Sequence, residues 1–112
     1  MPARLGALAG VAAVLVASVG RAGEADPAAG RAFAMQACAG CHVVGLNQPS
    51  APWRQPPGPS FFDVAKEPQA SAGWLANYLS RTHPGGDDSY PPLTAAQASD
   101  IATYITELRR RR

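Results

Sequence analysis

The chain contains only two cysteines, and they stand together as Cys38-Ala39-Gly40-Cys41-His42. Two thiols at this spacing reach the two vinyl groups along one edge of a haem, and the histidine that follows swings beneath the ring to the iron. Competing chemistries fit less well. A redox-active disulfide uses the same spacing but follows a strand in an α/β domain, and the sequence has no strand pattern. Zinc requires four ligands, and beyond the N-terminal segment the chain offers only Cys38, Cys41, His42 and His83. A structural disulfide across so small a loop would stabilise little.

The N-terminal segment supplies the compartment in which such chemistry occurs. Arg4 precedes an uncharged apolar run, Leu5 to Gly20, and small residues follow at Gly20, Ala22 and Gly23. This order reads as a secretory signal peptide cleaved after Ala22, because the 16 uncharged residues between Arg4 and Arg21 fall short of the roughly 20 that span a bilayer. The expected organisation is a signal peptide over residues 1–22, one domain over 23–108 and a basic tail over 109–112, with a periplasmic location and no integral membrane span in the mature chain. Removing 22 of the 112 residues leaves 90, a size at which an apolar core alone is marginal and a cofactor usually contributes.

Charge narrows the partners. Of the 10 basic side chains, Arg4 and Arg21 leave with the segment, so eight remain against 8 acidic ones. Four of the eight are Arg109 to Arg112, which makes the body acidic by four and the tail basic. Nothing in this balance suggests nucleic acid. The tail reads as a solvated, frayed terminus.

Along the domain, Asp26-Pro27 is a helix start, with Gly30, Phe33, Ala34 and Ala37 on one face leading into Cys38. Residues 43–59, rich in Pro, Gly, Asn and Ser, predict a surface loop. Ser60 to Lys66 and Ser71 to Ser80 predict two short helices, the second with Trp74, Leu75, Tyr78 and Leu79 on one side and Trp74 buried. Trp53, between Pro52 and Arg54, predicts half exposure. After an irregular stretch from Thr82 to Pro92, Thr94-Ala-Ala-Gln97 has capping-box spacing. Ala98, Ile101, Tyr104, Ile105 and Leu108 then form the apolar face of a final helix.

These features together resemble the small bacterial class I c-type cytochromes: Gly30 and Phe33 before the motif, the motif itself, Gly58-Pro59, and the last helix with Tyr104. The resemblance covers nearly all of the mature region. It implies an all-α cytochrome c-like domain of three to four short helices around one covalent haem c. The haem would be bound by Cys38 and Cys41, with His42 as the proximal iron ligand. It further implies that the first and last helices cross near the haem edge, Gly30 allowing the approach and Tyr104 filling space beside it. A proline carbonyl, by position that of Pro59 with Pro57 as the alternative, would accept a hydrogen bond from the ligating histidine.

One segment departs from the family. The resemblance implies a second axial ligand from methionine in a Met-Pro-Pro-Leu segment, where this chain reads Tyr90-Pro91-Pro92-Leu93. Met35, three residues before Cys38, belongs to the incoming helix and reads as packing. The distal candidates are His83, Tyr90 or an open position, and each predicts a lower potential than methionine ligation. The leading expectation is a one-electron carrier, not an enzyme, that exchanges electrons with a redox partner protein. A gas-binding or sensing haem protein and a haem subunit of a larger oxidoreductase are the alternatives.

Overall fold

The computed structural model describes residues 24–81 and 93–110, together with residues 3, 6 and 10–13 near the N-terminus. The expected signal peptide, the Thr82–Pro92 stretch and the end of the tail therefore lie largely or wholly outside the described residues. Four helices form the domain: α1 (Pro27–Ala37), α2 (Phe61–Lys66), α3 (Ala72–Arg81) and α4 (Ala95–Leu108). The described residues contain no strand, and the all-α class stands.

Each helix begins where its local chemistry permits. The Asp26 carboxylate accepts from the backbone N–H groups of Ala28 and Ala29 at 2.9 and 3.3 Å, and Pro27 occupies the first turn. The Ser60 hydroxyl accepts from Asp63 N–H, and the Ser71 hydroxyl from Trp74 N–H. At α4 the capping box is reciprocal: Gln97 N–H donates to Thr94 Oγ1 at 3.1 Å, and Thr94 N–H donates to Gln97 Oε1 at 3.0 Å. These contacts satisfy donors that a helix cannot satisfy internally.

Helix α4 is the central element, and α1, α2 and α3 all pack on it. Its buried face is Ala98, Ile101, Ala102, Tyr104, Ile105 and Leu108, joined in one core by Ala34, Val44, Phe61, Ala65, Ala70 and Leu75. The α1–α4 crossing is unusually close. A Cβ placed on Gly30 would lie 2.8 Å from Ile101 N and closer still to the Asp100 carbonyl, so only glycine allows the two backbones to meet. Asp100 also reaches back to α1, its Oδ1 accepting from Asp26 N–H at 2.8 Å.

Three local readings need correction. Trp74 is 43% exposed rather than buried, and it stacks on Tyr78 with ring centroids 5.3 Å apart. Leu75 takes the buried position on α3, because the four expected residues spread over more of the helix than the core covers. Trp53 is 76% exposed, well beyond half, although its indole lies over Gly40, where a Cβ would meet Nε1 at 2.5 Å. Arg109, read as the start of a frayed tail, is tied to α2 and the turn after it. Its Nε donates to the Ala65 carbonyl at 2.5 Å, and its Nη2 to the carbonyls of Glu67 and Ala70 at 3.2 and 3.1 Å.

Gly30→Ala tests the crossing. A methyl group there has only backbone to push against, so the expected cost is about 3 kcal/mol, opposed by about 1 kcal/mol of better helix propensity. Thermal unfolding followed by circular dichroism should show Tm falling on the order of 10 °C.

Candidate haem-attachment site

Helix α1 ends at Ala37, and the chain turns at once into the Cys38–His42 loop. The first turn closes on itself, with Cys41 N–H and His42 N–H both donating to the Cys38 carbonyl at 3.1 and 2.9 Å. Every later carbonyl as far as Val44 is also engaged. Gly40 accepts from the N–H groups of Trp53 and Arg54, Cys41 from Gly58 at 2.7 Å, and Val43 from Phe61 at 2.9 Å. The Tyr104 hydroxyl donates to the Val44 carbonyl at 2.5 Å. The remaining two, Ala39 and His42, accept from the amide of Gln48 at 3.1 Å each, while Gln48 Oε1 accepts from Val44 N–H at 2.7 Å. The carbonyls of this irregular loop are thus all engaged, as those of a helix interior are, which holds it in one shape.

His42 is 9% exposed. Among the described residues, Pro59, Phe61 and Gly58 set its ring. Nδ1 lies 2.6 Å from the Pro59 carbonyl; a carbonyl can only accept, so Nδ1 carries a proton and ligation of a metal falls to Nε2. The carbonyl belongs to Pro59 and not to Pro57. Phe61 packs against the ring at 5.6 Å and 47°, and in turn meets Tyr104 at 6.5 Å. Gly58 closes the cradle: a Cβ there would come within 2.7 Å of Nδ1.

Both cysteines are partly buried, and no disulfide joins them. Burial, and secondarily repulsion from Cys41, pushes the Cys38 thiol up from its ordinary 9.0 to about 11. Burial of this kind disfavours the thiolate that disulfide exchange requires. Among the described residues no group of three or more His, Cys, Asp or Glu side chains could hold a metal ion. The donor set fits a haem instead: two thiols on one turn, then an imidazole left to ligate through Nε2, its other nitrogen fixed by a backbone carbonyl.

Met35 packs where its sequence position suggests, against the core, with its Cε beside Gly45. His83 and Tyr90, the distal candidates, lie outside the described residues. Gln48 was not singled out by sequence reading. The available signal was its place six residues after His42, close enough for one side chain to span the loop.

Fold and motif together define a haem-binding helical domain, and a relative gives it a family. The chain is 40% identical over 85 residues to a cytochrome c-552 of Bradyrhizobium diazoefficiens, covering 76% of this chain and 77% of the relative. It belongs to the small class I c-type cytochromes. No protein-family model and no solved structure matches it.

Gly58→Ala is expected to drive the His42 ring off the Pro59 carbonyl and to cost about 2 kcal/mol. Denaturant unfolding measures the loss. A haem absorption spectrum that differs from the parent protein would locate it at the histidine.

Proposed function

We propose that this c-type cytochrome is a periplasmic one-electron carrier that binds a single haem through thioether bonds to Cys38 and Cys41, with His42 as proximal iron ligand. The observation that carries the reading is the His42–Pro59 hydrogen bond, which fixes the tautomer that an iron ligand needs. A bound haem supplies a reversible one-electron iron couple. The chain's own residues do the rest. Cys38 and Cys41 anchor the ring edge, Pro59 orients and polarises the imidazole, and Gly58 leaves the imidazole its space. Phe61, backed by Tyr104, supplies an apolar wall beside the imidazole, which limits water and so limits reorganisation when charge changes.

Export rests on the Leu5–Gly20 segment, and no described helix is long and apolar enough to cross a membrane. The acidic body and the arginines at its C-terminus give a redox partner protein two charge signs to read. On the distal side, the chain departs from methionine ligation, because Tyr90 stands in the methionine's place and Met35, partly buried, packs against the core. His83 or Tyr90 supplies the sixth ligand in the carrier. Either one stabilises ferric iron and sets the potential below that of a methionine-ligated relative.

The same missing methionine supports a second reading, in which the distal position is open and the protein binds a diatomic gas. Absorption spectra separate the two. A carrier is six-coordinate and low-spin in both oxidation states and ignores carbon monoxide; a high-spin ferrous form that takes up carbon monoxide overturns the carrier reading in favour of the gas-binding one. In the carrier, replacing the true ligand in His83→Ala or Tyr90→Ala changes the spectrum, and if neither change does so, both assignments fall.

A further inference from the structure

Gln48 has no role in the attachment motif or in the resemblance, yet its side chain makes three hydrogen bonds to the motif loop. Its two amide hydrogens go to the carbonyls of Ala39 and His42, each at 3.1 Å, and its oxygen takes Val44 N–H at 2.7 Å. The donors and the acceptor are thereby matched, and the match fixes which way the amide points. Ala39 lies between the two cysteines, and His42 carries the imidazole. One side chain therefore ties the backbone that spaces the thiols to the backbone that places the ligand.

We propose that Gln48 is a positioning residue for His42, acting through the loop backbone; the inference rests on the functional reading above. The imidazole is held at two points. Pro59 fixes its ring nitrogen from one side, and Gln48 fixes the His42 carbonyl from the other. Removing the amide takes two donors from the carbonyls of Ala39 and His42 and the acceptor from Val44 N–H, and frees the loop to open locally while the helices persist. Secondary structure elsewhere does not depend on Gln48, since the caps of α1, α2 and α4 are made by Asp26, Ser60 and Thr94.

The test uses the haem-loaded full chain with Gln48→Ala and with Gln48→Met, which keeps most of the side-chain volume and removes the amide. Thr94→Ala serves as a control that destabilises α4 through its cap and leaves the loop alone. Amide hydrogen exchange and guanidinium unfolding are measured on all of them, the latter followed by both the Soret band and the helical circular dichroism. The expected result in both Gln48 variants is exchange at Cys41 and His42 faster by roughly tenfold or more, with little change in α4. The Soret transition should move to lower denaturant by more than the helical one. If exchange rises uniformly and the two transitions move together, as expected for Thr94→Ala, Gln48 is only structural and the proposal is overturned. A chain isolated without covalent haem overturns the functional reading and this proposal with it, whereas covalent haem with coincident shifts overturns this proposal alone. Should Gln48→Ala fail to accumulate, Gln48→Met decides in the same way.

Discussion

Where α1 crosses α4, the backbone of Gly30 lies against the Asp100 carbonyl with no room for a methyl group, and both elements fixed by that contact then act on one loop. Helix α1 ends in the turn that carries Cys38, while α4 sends the Tyr104 hydroxyl to the Val44 carbonyl. The crossing thus sets the distance between the start of the attachment loop and the point where it rejoins the core. Asp100 Oδ1, bonded to Asp26 N–H, fixes the other end of α1 to the same helix.

The loop itself is held by donors from far along the chain. Trp53, Arg54, Gly58 and Phe61 contribute backbone N–H groups, Gln48 an amide and Tyr104 a hydroxyl. This explains how residues 43–59 can lack helix and strand and still be ordered: their backbone groups pair with the motif instead of with one another. The rigid result is suited to electron transfer, in which a ligand that moves little between oxidation states costs little reorganisation.

What the sequence made legible was local. Asp26-Pro27 and Thr94 with Gln97 mark helix starts because the groups that cap a helix lie within three residues of its end. The motif was legible because its chemistry is carried by five consecutive residues. Periodicity put Gly30 and Tyr104 on helix faces, but the crossing they serve was readable only through resemblance, since nothing in their own surroundings says what they touch. Gln48 and Arg109 escaped because their partners are backbone carbonyls, which leave no mark in a sequence, and in Arg109 those partners lie about 40 residues away. Trp74 was misjudged for a related reason: periodicity names the apolar side of a helix, but the width of the neighbour decides how much of that side is covered, and Leu75 took the place.

The central claim is that Cys38, Cys41 and His42 form one haem-binding unit, and mass spectrometry of the protein as isolated tests it most directly. A tryptic peptide spanning Cys38 to Cys41 is expected to carry the added mass of one haem, to keep it through denaturation and acid extraction, and to show no thiol open to alkylation. Two alkylatable thiols, or a disulfide in the same peptide with no added mass, would contradict the account.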